Sequence, residues 1–126
     1  MGMAAKGERQ EHPHAPLADF IDFGHLERYT MGEPALTEEL LHGFCAELRR
    51  FAPDVDTPER ERRALHRLKG SARAIGAFPL ADAAEWLERL LEAGAEEAEV
   101  RMARAELEEQ LQALKDACRR WKEMLR

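Results

Sequence analysis

The sequence predicts an all-α protein, specifically an antiparallel, up-down-up-down four-helix bundle with a short N-terminal capping helix, and three observations carry that prediction. The β-branched residues are Ile21, Thr30, Thr37, Val55, Thr57, Ile75 and Val100 and no others, whereas a sheet draws on many, because such side chains pack well on a pleated surface. Ala, Leu, Glu and Arg dominate instead, and these lose little rotamer freedom in a helix. Four stretches repeat apolar residues at three- and four-residue spacing with short breaks between them, the pattern of amphipathic helices that pack as antiparallel neighbours.

Residues 1–16 hold Pro13, Pro16 and two glycines with almost no large apolar side chain, which reads as a flexible tail ahead of a helical domain over 17–126. Leu17, Phe20 and Ile21 open the apolar pattern, and Asp22 is placed to N-cap a short helix, FGHLERYT. Gly32 and Pro34 punctuate the chain. From Pro34 to Phe51, Leu40, Leu41, Phe44, Cys45, Leu48 and Phe51 form one stripe. APDVDTP breaks it, with Thr57 as N-cap and Pro58 at the first helical position. The next helix runs to about Gly76 with Ala64, Leu65, Leu68, Ala72 and Ile75 inward. Glu61 shares that arc by angle, a mismatch that predicts its first turn projecting past the bundle end. Pro79 opens a further helix striped by Leu80, Ala83, Ala84, Leu87, Leu90 and Leu91 and ending near Gly94. The last carries Val100, Ala103, Leu107, Leu111, Leu114, Cys118, Trp121 and Leu125 in a near-heptad pattern.

Composition excludes several function classes. A length of 126 residues suits one domain and leaves no room for a nucleotide-binding kinase domain beside it. A net charge of -6 argues against nucleic acid or an anionic membrane as main partner. No apolar run approaches the roughly 20 residues that span a bilayer, and the first residues lack the apolar core of a signal peptide. Cys45 and Cys118 are too few for a disulfide framework; on apolar stripes they read as buried, inert thiols suited to a reducing cytoplasm.

The informative stretch is ALHRLKGSARAIGAFPLADAAEWLE. At about 100° per residue, His66 points nearly opposite the inward arc and faces solvent. Lys69 and Gly70 follow one turn later, Arg73 two turns later, and Arg62 precedes by one turn. Glycine within a helix costs about 1 kcal/mol relative to alanine. Gly70 lies on the outer side, where a missing side chain lets another macromolecule approach the imidazole. Lys69 adds an ammonium for a phosphoryl group arriving at His66, and an ordinary imidazole is largely neutral and nucleophilic at neutral pH. The constellation reads as a phosphoryl acceptor. A like charge from Arg62 at i,i+4 would help keep the ring neutral.

His66-Arg67-Leu68-Lys69-Gly70-Ser71-Ala72, followed by Gly76, Leu80, Ala84, Leu87 and Glu88, resembles the signature of histidine phosphotransfer (HPt) domains, and IDFGHLERYTMGEPALTEELLHGF is similar to the family's entry segment and first bundle helix. The resemblance covers about residues 20–125. It departs at Glu33, where many members carry Asp after the glycine, which puts the cap of that helix in question. The resemblance implies that His66 takes a phosphoryl group from the aspartyl phosphate of a response-regulator receiver domain and passes it to another, with a hybrid histidine kinase as a further partner. It implies that Lys69 stabilises the phosphoryl oxygens, that Gly70 leaves room for the receiver, and that the protein is no enzyme in its own right. The family has no ATP site and no cofactor; the receiver supplies Mg²⁺.

The remaining candidates have blander readings. Arg73 shares the His66 face as either a docking contact or a solvated charge, and Ser71 turns toward the helix packing for local hydrogen bonding. His12 and His14 form an H-x-H without further metal ligands; His25 and His42 read as surface or bundle-edge residues, and Trp86 as half-buried packing. The competing function is a helical-bundle adaptor that binds a receiver or kinase without carrying phosphate. A cytoplasmic monomer, without nucleic acid or membrane partners, completes the expectation.

Overall fold

The computed structural model describes residues 13–126, and among them the secondary structure is entirely helical. A 3₁₀ turn over Ala15–Leu17 precedes α1 (Phe23–Thr30), α2 (Pro34–Arg50), α3 (Pro58–Ile75), α4 (Phe78–Ala93) and α5 (Glu97–Met124). The four long helices touch in a ring, α2 on α3, α3 on α4, α4 on α5 and α5 back on α2, while α1 lies against α2 and α3 and the 3₁₀ turn against α5. None of these helices is long and apolar enough to cross a membrane.

The predicted breaks form as local chemistry dictates. Asp22 caps α1, its carboxylate accepting from the His25 N–H at 3.1 Å. α1 ends through Met31 and Gly32, both left-handed at φ 55° and 73°, and the Thr30 and Thr37 hydroxyls, 3.0 Å apart and buried, tie it to α2. Proline occupies the first turn of α2, α3 and α4, where its missing N–H removes nothing. The Glu33 side chain makes no cap hydrogen bond to α2. Nor does Thr57 cap α3 with its side chain, as the sequence had predicted: its hydroxyl donates to Asp54 Oδ2 at 2.9 Å instead. Gly76 ends α3 at φ 92°, and a Cβ there would sit 2.8 Å from the Asp22 carbonyl oxygen. Glycine is thus required twice over at this corner, which fixes the end of the His66 helix against the entry to α1.

The inward stripes meet in one core that includes Leu41, Leu48, Leu65, Leu68, Leu87, Leu114 and Trp121. Three sequence readings are corrected there. Cys45 and Cys118 are not separate thiols: they form a disulfide joining α2 to α5, with Cα atoms 5.8 Å apart, because their stripes face each other across neighbouring helices. Glu61 does not project past the bundle. It is 1% exposed, and both carboxylate oxygens accept from Arg104 of α5, at 3.0 Å from Nε and 2.8 Å from a terminal nitrogen, the bidentate pairing a buried acid requires. At the N-terminus, composition groups Pro13–Pro16 with the tail, yet His14 stacks on Phe23, contacts Trp121 and donates to Glu38 at 3.2 Å. An imidazole between two aromatic rings packs where aliphatic counting sees only polarity. Residues 1–12, including His12 of the H-x-H, lie outside the described residues.

Candidate functional site

Angular spacing placed His66 opposite the core stripe of α3, and there the structure holds it, its side chain 70% exposed between the buried Leu65 and Leu68 positions. Gly70 lies one turn further on. Among the described residues, a Cβ built on it would meet nothing within 4 Å, so no atom of theirs demands a glycine at this exposed position. The helix bears the conformational penalty of that glycine without any internal packing reason.

The residue that organises the site comes from α4. Glu88 is 7% exposed, yet its carboxylate reaches the outer face of α3: Oε2 lies 3.0 Å from His66 Nδ1 and Oε1 lies 2.8 Å from Lys69 Nζ. Burial pushes the Glu88 carboxyl up, but hydrogen bonds and charge from Lys69 and His66 outweigh it and leave the group below the usual carboxylate range. It is therefore ionised near neutrality, and an ionised carboxylate only accepts. His66 Nδ1 must then carry a proton and donate to Glu88, so that in the neutral ring the lone pair is on Nε2. The exposed ring is in this way set in one tautomer.

Lys69 is where the sequence put it, beside His66 and one turn along, but its ammonium is held by the same carboxylate and its side chain is only 19% exposed. Arg73 shares the face without joining the cluster. Its guanidinium bonds Glu85 of α4, which Arg89 also pairs, and the hydrogen bond and charge of Arg73, with Arg89 beside it, hold the Glu85 carboxyl low despite the opposing effect of burial. Arg62 is bonded to Glu59 at 2.9 Å, so the charged group in hand-to-hand contact with the ring is a carboxylate rather than the guanidinium the sequence suggested. Ser71 turns inward and donates to Glu47 of α2 at 3.0 Å, tying α2 to the His66 helix.

Of the other imidazoles, His25 sits at the bundle edge, donating from Nε2 to the Ala74 carbonyl at 3.2 Å with its ring against Phe78. His42 is exposed on α2 beside Trp121. Sequence reasoning quoted Glu88 within the motif but gave it no role. The available signal was an acid directly after Leu87, at the margin of an inward arc, on the helix that follows the lysine.

A family model described as Hpt domain matches residues 35–117, most of the chain and the whole of the cluster just described. No curated protein and no solved structure matches.

Proposed function

The chain belongs to the Hpt domain family, and hence to two-component phosphorelay, and from that premise we propose that it shuttles a phosphoryl group between His66 and aspartates of receiver domains. The observation that carries the reading is an imidazole 70% exposed, with Nδ1 committed to a buried carboxylate, beside a glycine that opens onto empty space.

In the step this geometry serves, the Nε2 lone pair attacks the phosphorus of an aspartyl phosphate. The P–O bond to aspartate breaks and the carboxylate leaves with its electron pair, so the phosphoryl group rests on Nε2. The ring acquires positive charge as the N–P bond forms, and Nδ1–H hands part of it to Glu88. Lys69 lies on the other oxygen of that carboxylate; a phosphoryl group on the ring offers its ammonium a second anion. The metal that phosphoryl transfer from aspartate calls for comes with the receiver. Gly70 admits the partner's surface, and Arg73, half exposed, lies where it would meet that surface. The finer architecture that goes with this reading is an antiparallel, up-down-up-down monomeric bundle. A cytoplasmic location belongs to it too, where a disulfide is redox-responsive rather than permanent.

The test is incubation with phosphorylated receivers. An acid-labile, alkali-stable phosphate appears on the chain and is lost in His66→Ala, which keeps the helical fold but loses about 1–2 kcal/mol because Glu88 gives up one of its two partners. A chain that binds receivers but never takes label is an adaptor, and the proposal fails.

A further inference from the structure

His66 and Glu88 lie where α3 meets α4; the Cys45–Cys118 disulfide lies across the ring, where α2 meets α5. The two cysteines are almost buried, 3% and 6% exposed, and they form part of the wall of a cleft of about 440 Å³, a volume in the range of small-ligand sites, roughly 300–1,000 Å³. The charged residues of that wall are Arg49, Lys115, Arg119, Lys122 and Arg126 against one carboxylate, Glu123. Arg119 also bonds Asp116 at 2.9 Å, just outside the cleft. Five cations around a disulfide run against the balance of a chain whose net charge is -6. Three of them share a helix with one of the cysteines: Lys115, Arg119 and Lys122 stand at i-3, i+1 and i+4 from Cys118.

We propose that this cleft is a thiol–disulfide exchange site for a small anionic thiol, which opens the α2–α5 cross-link. Cations act twice in such a reaction. They concentrate an anionic thiolate at the cleft, and they stabilise the cysteine that leaves, which speeds exchange because a lower-pKa thiol is the better leaving group. The thiolate attacks Cys45 Sγ; the S–S bond breaks and its electron pair goes to Cys118 Sγ, on the helix that also carries Lys115, Arg119 and Lys122 to the cleft. A second small thiolate then attacks the small-molecule sulfur of the mixed disulfide on Cys45, forming the small disulfide and releasing the Cys45 thiolate. Two small thiols are oxidised, the protein gains two electrons, and both cysteines take protons from solvent.

The experiment follows reduction of the intact chain by glutathione and mercaptoacetate, both anionic, and by cysteamine, which is cationic. Each rate is normalised to that on an uncharged small disulfide, which removes differences in intrinsic thiolate reactivity. At low ionic strength the anionic thiols are expected to react about tenfold faster after normalisation. The advantage should collapse in about 0.5 M salt, where the screening length is only a few ångströms. Combined Arg119→Glu and Lys122→Glu substitution should reverse it. Should that variant fold poorly, the salt dependence of the parent protein decides alone. A cationic thiol that matches or outpaces the anionic ones overturns the proposal, as does a disulfide that no thiol reduces without denaturant, or a chain purified in air with two free thiols.

Discussion

Replacing Glu88 by Gln changes almost no volume but removes the charge on which the candidate site is built. The carboxylate accepts from His66 Nδ1 at 3.0 Å through one oxygen and forms an ion pair with the Lys69 ammonium, 2.8 Å from the other. Charge-assisted hydrogen bonds are about twice as strong as neutral ones, and those to charged groups are worth about 1.5–3 kcal/mol. An amide oxygen facing Lys69 keeps the weaker half of that bond, so Glu88→Gln should lower stability by about 1–2 kcal/mol. The amide then presents its NH₂ to His66 Nδ1, which must accept, and the ring proton moves to Nε2, the nitrogen that has to attack. The ring is 70% exposed and water competes for it, so the lost tautomer preference lies at the low end, about 1.4 kcal/mol, or about tenfold in transfer rate.

Single-turnover transfer from a phosphorylated receiver, measured against receiver concentration, separates this loss from docking: the maximal rate falls and the half-saturating concentration holds. Nitrogen chemical shifts of His66 report the proton directly. A ring that keeps Nδ1–H in Glu88→Gln, or a maximal rate within twofold of the parent, would refute the reasoning. The pH dependence carries the same sign test. The Glu88 carboxyl titrates lower in the folded chain than in the unfolded one, so its contribution is fully present above the unfolded value and is lost as pH falls through the folded one. The stability gap between parent and Glu88→Gln should therefore be widest near neutrality and narrow only as pH falls below the ordinary glutamate range.

Three further outcomes follow from burial and open space. Gly70→Ala should raise helix stability by up to about 1 kcal/mol, since its Cβ meets nothing, whereas Gly70→Leu should keep the fold by circular dichroism but slow transfer; a leucine variant with the parent rate removes the clearance reading. Glu61→Ala strands the guanidinium of Arg104 and should lower urea stability by about 3–5 kcal/mol, with Glu61→Leu combined with Arg104→Met restoring most of it. Reducing the Cys45–Cys118 disulfide, whose residues are 73 apart in sequence, removes a constraint on the unfolded chain worth about 4 kcal/mol by loop closure and should lower the melting temperature on the order of 10–20 °C; a shift below about 2 °C would show that the cross-link does not form in solution.

What was legible in the chain follows one rule: periodicity reports which way a side chain points and says nothing of what meets it. Direction alone sufficed for the helices and for the outward placement of His66 and Gly70. It failed where two helices had to be brought together. Cys45 and Cys118 each fall on an inward stripe, and only the contact of α2 with α5 makes them one bond. Glu61 and Glu88 are the sharper case, two buried glutamates whose partners lie 43 and 22 residues away. Burial and residue type do not distinguish them; the partners do. Glu61 gives both oxygens to one guanidinium, which closes the pair on itself and makes it a brace between α3 and α5. Glu88 divides its oxygens between an ammonium and a ring open to solvent, so whatever bonds to the far side of that ring changes the charge Glu88 must answer. A buried acid whose partner has a free face is coupled to the outside, and this is why the second glutamate, and not the first, belongs to the site.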